Sequence, residues 1–199
     1  MQEPTSAQDV QARLALIEQM IVEGRRSTES WGWTFVLWGV LFYIAIAWTA
    51  WKPSPLAWPV TMVSGLLLTL AIGIKKTHRH PGTTIGRAVA SVWTALGFSM
   101  ILIFSALSLT GRMDQHSFVA LVAAMLGAAN AASGMILKWK MQLACAAVWW
   151  AVSVAACLAS AAQPSDLFLA AIFLCQITFG VYAMVRDSQR AKRGAVARA

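Results

Sequence analysis

The sequence predicts an all-α integral membrane protein: six transmembrane helices in a bundle, preceded by a short amphipathic cytosolic helix. Three observations lead there. Of 199 residues, 58% are hydrophobic and only 12% charged, and the mean hydropathy is +0.62; a soluble domain is about 45–50% apolar and about 25% charged. The apolar residues gather in six runs, 33–51, 56–74, 88–110, 118–137, 141–162 and 167–185. Each run is close to the roughly 20 residues a helix needs to cross about 30 Å of hydrocarbon. No Asp, Glu, Lys, Arg or His lies inside any of them. A soluble globular enzyme, a disordered chain and a disulfide scaffold are thereby excluded. Strands of a membrane barrel alternate apolar and polar residues, whereas these runs are continuous, so helices are predicted, each satisfying its own backbone hydrogen bonds.

Residues 1–30 form a cytosolic unit. They are too polar and too acidic for a secretory signal or transit peptide, so the first span is expected to stay as an anchor. An amphipathic helix is predicted over 7–23, with Ser6 as N-cap and Gly24 as its C-terminal stop. Val10, Leu14, Ile17 and Ile21 follow 4-3-4 spacing and share one face. That face is a candidate partner-docking surface. It can lie on the inner leaflet or the bundle's own cytosolic end, pair with a second copy in a homo-oligomer, or dock a cytosolic protein.

The transmembrane domain follows over 31–186. Lys52-Pro53-Ser54-Pro55 ends the first span, because proline cannot continue a helix. Gln163-Pro164-Ser165-Asp166 precedes the sixth, with Ser165 or Asp166 expected to cap its first turn. Lys138-Trp139-Lys140 is a tight turn, since two lysines cannot sit cheaply in mid-membrane. Residues 187–199 are a basic cytosolic tail.

Orientation comes from the cations. Fourteen of the sixteen Lys and Arg fall in the N-terminal segment, the turns after spans two and four, and the tail, leaving Lys52 and Arg112 on the other side. Lys and Arg stay cytoplasmic, so both termini are predicted to be cytoplasmic, in the inner membrane of a bacterium. Arg25, Arg26, Lys75, Lys76, Arg79, Arg186, Arg190 and Arg193 are the candidate contacts to anionic lipid headgroups of the bilayer. This bias accounts for the sequence pI of about 10.0, so no nucleic acid partner is expected.

The stretch from Ile17 to Thr28, with Trp31-Gly32-Trp33 and Trp38-Gly39, resembles a group of uncharacterised bacterial multi-pass membrane proteins. These share a short cytosolic N-terminal helix, an Arg/Ser/Thr-rich junction and an early Trp-Gly in the first span. The resemblance covers about residues 14–42. It implies a helical integral membrane protein and brings no catalytic residue with it.

Ionisable residues inside the membrane are the usual mark of proton relays and ion sites, and the spans have none. His78 and His80 share a turn with Lys75, Lys76 and Arg79, whose charge repels a metal cation. Cys145, Cys157 and Cys175 read as packing residues. No nucleophile elbow, phosphate loop, zinc motif or carboxylate pair is present, so no catalytic residue, metal or cofactor is expected. What remains is uncharged. Span four carries a stripe of Ala120, Ala123, Ala124, Gly127, Asn130, Ala131 and Gly134, which favours close helix contact in lipid. Asn130, Gln176, Trp149, Trp150 and Thr94 lie at similar depth. They form either a hydrogen-bonded layer that sets helix register or the lining of a ligand pocket. Trp31, Trp33, Trp51, Trp58, Trp93 and Trp139 are expected as interface anchors. The predicted function is that of a non-enzymatic adaptor, sensor or regulatory partner; the alternative is a small transporter or channel-like protein for a neutral or hydrophobic solute.

Overall fold

The computed structural model describes residues 7–54, 56–77, 84–112, 114–160 and 163–196, and among them every regular element is helical. In chain order these are α1 (Ala7–Ser30), α2 (Gly32–Trp51), α3 (Ala57–Thr77), α4 (Thr84–Leu109), α5 (Gln115–Ile136) and α6 (Lys140–Leu158). A last long helix runs as α7 (Gln163–Ile172), a π-helical segment (Phe173–Thr178) and α8 (Phe179–Val196). Six helical stretches are long and apolar enough to cross a membrane: α2, α3, α4, α5, α6 and the continuous stretch from Gln163 to Arg190.

The bundle is built around α5, which packs against α4, α6 and α7 and is the most buried of the six. Its small-residue stripe explains part of this: Ala123, Gly127, Asn130, Ala131 and Gly134 are buried. Val122 and Leu126 on other faces are buried as well, because a central helix is surrounded. α4 is the least buried; Phe98, Ile101 and Leu102 point outward, the apolar exterior expected of a helix that faces lipid. Side chains bond across the helices. Trp93 Nε1 donates to Ser133 Oγ at 3.0 Å, Ser153 Oγ to the Ala120 carbonyl at 2.8 Å, and Tyr43 Oη to the Leu169 carbonyl at 2.8 Å.

The chain turns between α5 and α6 in a Schellman motif. Trp139 N–H reaches back to the Gly134 carbonyl at 2.8 Å and Lys138 N–H to Met135 at 3.3 Å, with Lys138 at φ 48°. This left-handed residue reverses the chain in two steps. Trp139 then tucks inward, its ring 5.1 Å from Phe179. Phe35 stacks edge-on to both Trp93 and Phe179, at 5.3 and 5.0 Å. Trp93 and Trp139 therefore belong to an aromatic core and not to the interface belt expected of them; Trp58, 4.7 Å from Phe118, packs inward too.

Two boundaries differ from expectation. α1 does not stop at Gly24 but continues to Ser30. Gly24 is used for close approach instead, because a Cβ there would strike the Ile85 side chain of α4 and lie 3.3 Å from Leu137 Cδ2. Ser6 lies outside the described residues. The last helix starts at Gln163, ahead of the anticipated Ser165 or Asp166 cap. Pro164 fits in its first turn, where a missing N–H costs nothing. Gln163 Oε1 accepts from Ser160 N–H at 3.1 Å, tying the helix start to the chain that enters it.

Asp114 caps α5, its Oδ1 accepting from the backbone N–H groups of His116 and Ser117, each at 3.0 Å. Bonds from Ser117, side chain first and then backbone, hold the Asp114 carboxyl below its ordinary value. A depressed carboxyl contributes stability that is complete above its unfolded pKa and is lost as pH falls through its folded one. Acid unfolding of Asp114→Asn should therefore depend less on pH below about 4 than that of the parent, as measured by circular dichroism in detergent.

Candidate functional site

The bundle interior holds few polar side chains. Among the described residues Asn130, Ser133, Gln142, Gln176 and Thr61 are buried. Thr61 Oγ1 donates to the Ala57 carbonyl, which settles it, and Ser133 accepts from Trp93. The other three, with Trp149, form the candidate site.

Gln142 and Trp149 are seven residues apart on α6, two turns along one face, with Cys145 between them. Both are 0% exposed. Neither amide atom of Gln142 has a hydrogen-bond partner among the described residues, and neither has Trp149 Nε1. Asn130 enters from α5. Its Nδ2 donates to the Leu126 carbonyl of its own helix at 2.9 Å, leaving Oδ1 unpartnered. Gln176 comes from the π-helical segment, buried against α2, where a Cβ on Gly39 would lie 3.1 Å from Gln176 Cβ. Next to it the Cys175 thiol lies 3.7 Å from the Cys145 carbonyl, donating toward it. The interior thus presents two donors (Gln142 Nε2, Trp149 Nε1) and two acceptors (Gln142 Oε1, Asn130 Oδ1) without partners. A buried orphan of this kind costs about 1–3 kcal/mol, and native structures keep few.

The structure brings Asn130, Trp149 and Gln176 into the interior but not the other two expected members of the layer. Thr94 lies on the exposed face of α4. With Arg87, Ser91 and Phe98 it lies on the open outer flank of that helix. The cause is Trp93: its indole is turned inward to Ser133, and the next residue is rotated 100° away. The same arithmetic separates Trp149 from Trp150. With Trp149 buried, Trp150 is 47% exposed, its ring laid over Gly127 where a Cβ would collide with it. No hydrogen bond joins Asn130 to Gln176 among the described residues, so the pair does not form the expected bonded layer.

Gln142 was not anticipated. Two residues after the Lys138–Lys140 turn, its amide is expected to reach water. The Schellman turn, the inward Trp139 and the passage of α1 over Leu137 close that end instead. The available signal was its position seven residues before Trp149.

On α1, Val10, Leu14 and Ile17 are 46%, 56% and 52% exposed, while Ile21 is half-buried. Of the basic residues, Lys75 is exposed. Arg186 donates to Tyr182 Oη at 2.9 Å, with its guanidinium 5.6 Å from that ring's centre, and Arg190 is half-buried. Arg79, and the side chains of Arg25, Arg26, Lys76 and Arg193, lie outside what is described.

Fold and interior together define a class: a bundle of six helices long and apolar enough to cross a membrane, met by an N-terminal helix at Gly24, with buried polar side chains that carry no charge among the described residues. Comparison with protein-family models, with curated proteins and with solved structures returned no match.

Proposed function

We propose that the chain is a multi-pass protein of a bacterial inner membrane, with both termini in the cytoplasm, and that it acts without catalysis as an adaptor, sensor or regulatory partner. One observation carries this reading. α1 is anchored to the bundle at Gly24, yet its remaining length leaves the bundle with Val10, Leu14 and Ile17 exposed. An apolar face held out on a rigid helix supports a partner-engaging role. The distribution of Lys and Arg supports the orientation, and the resemblance over residues 14–42 agrees with a membrane location. α8 continues to Val196, offering a second surface on the same side.

Deleting residues 2–23 should abolish co-purification of the partner and any phenotype that depends on it. The truncated chain should still reach the membrane at parental levels, read by immunoblot of membrane fractions. Asn130→Leu combined with Gln176→Leu should leave that complex intact. The reverse pattern would overturn the adaptor reading.

A second reading, a small transporter for a neutral or hydrophobic solute, is favoured by the buried orphan polar atoms of Gln142, Asn130 and Trp149. Aromatic walls with a few convergent polar atoms suit such a ligand. Under this reading the Asn130→Leu, Gln176→Leu double variant loses solute flux in proteoliposomes and the truncated chain keeps it.

A further inference from the structure

The direction in which α1 presents its apolar stripe identifies what lies under it. Three contacts fix the helix across the end of the bundle. Gly24 meets Ile85 at the start of α4 and Leu137 at the α5–α6 turn. Trp31 covers Gly73 near the end of α3, where a Cβ would lie 3.2 Å from its Cη2. Gly32 meets the backbone of α8 at Gly180 and Met184. Between Gly24 and Gly32 the chain thus passes from the start of α4 and the α5–α6 turn to α8.

The side of α1 that carries Gly24 faces that end. Ile21, Ile17, Leu14 and Val10 lie three, seven, ten and fourteen residues earlier, which at 3.6 residues per turn keeps all four within about 80° of Gly24. The stripe is therefore continuous with the surface already in contact with the bundle. Asp9 to Met20 are all exposed, so at 1.5 Å per residue about 18 Å of helix overhangs. Beside a membrane-spanning bundle, at the level of its end, the medium on that side is the lipid–water interface.

We propose that Val10, Leu14, Ile17 and Ile21 rest on the membrane interface beside the bundle, making α1 an interfacial outrigger. Free interfacial helices are often rich in Lys and Arg; this one is not. Arg13 is paired with Asp9 at 3.3 Å, and Glu18 leaves the overhang slightly acidic. The attachment is apolar, and it needs little intrinsic affinity because the bundle tethers the helix at the surface. Contact therefore does not require anionic lipid and is insensitive to salt. The inference rests on the membrane-spanning reading of the bundle and not on the existence of a protein partner. Where a partner does take the stripe, it displaces lipid to do so.

The test uses the purified full-length chain in phosphatidylcholine vesicles, with benzoylphenylalanine placed singly at Leu14, Ile17 or Gln19. Gln19 lies opposite the stripe. After irradiation, mass spectrometry should show lipid adducts at Leu14 and Ile17 several-fold above Gln19, unchanged by molar salt. Chain-to-chain crosslinks from Leu14 and Ile17 would overturn the proposal in favour of a second copy. Equal lipid labelling at all three sites, or none, would also overturn it. A monodisperse gel-filtration profile for each variant excludes misfolding as the cause. No other protein is present, so the outcome is separate from the adaptor reading, which the deletion of residues 2–23 judges.

Discussion

Gly180→Val should destabilise the bundle by about 3 kcal/mol or more, beyond the 1–3 kcal/mol usual for overpacking. Backbone as well as side chain stands in the way: the Val36 side chain lies 2.7 Å from a Cβ at Gly180, and two backbone atoms nearly as close. A Cβ at Gly180 would lie 2.8 Å from the Gly32 carbonyl oxygen and 3.0 Å from the Val36 nitrogen of α2. A Cβ at Gly32 would in turn lie 2.9 Å from the Gly180 carbonyl oxygen and 3.1 Å from the Met184 nitrogen. Neither helix can yield by changing a rotamer; one must move off the other. Small residues permit such approach in lipid, where packing replaces the hydrophobic effect as the driving force. Unfolding midpoints in mixed detergent should fall in the order parent, Gly180→Ala, Gly180→Val. By contrast, Gly97 has open space around it, and Gly97→Ala should leave the midpoint unchanged or raise it slightly through helix propensity.

Trp149→Ala should cost about 3–5 kcal/mol, the range for deleting a large buried aromatic. The indole is completely enclosed and its ring lies 5.9 Å from Phe168. Phe168 in turn stacks on Phe42 and Phe118 at 5.8 and 6.1 Å, so the cavity would open in the middle of an aromatic chain. Trp149→Phe is the informative control. It keeps most of the ring and removes an N–H that has no partner among the described residues, so its net cost should stay below about 1.5 kcal/mol. If Trp149→Phe proved as damaging as Trp149→Ala, the indole nitrogen would be shown to have a partner in the membrane-embedded protein. Measuring both by the same detergent titration separates volume from hydrogen bonding.

The particular residues show why some features were legible beforehand and others were not. The six membrane-length helices were, because a charge within hydrocarbon is costly and all charged residues are confined to the intervals. The turn at Lys138–Trp139 was legible for the same reason. Rotation of the helices about their axes was not. Thr94 and Trp150 share the depth of the interior residues yet lie outside, while Gln142, close to a charged turn, is buried. Gly24 has the residue type of a helix stop and is a contact. In a water-soluble helix the polar face marks the outside. In these helices apolar side chains suit both the bundle interior and lipid, so composition around the axis carries little information about which face turns inward.

Residue chemistry alone therefore determined how many apolar helices there are, nearly where each begins and ends, and that their interior is free of charge. Only the assembled bundle decided which faces meet. That choice is made where backbones touch at Gly32 and Gly180, where Trp93 reaches Ser133, and where α1 folds down onto Ile85. These are contacts between positions far apart in the chain, set by shape and by single hydrogen bonds. No local pattern encodes them, because in lipid the transfer of an apolar side chain from outside to inside changes its free energy very little.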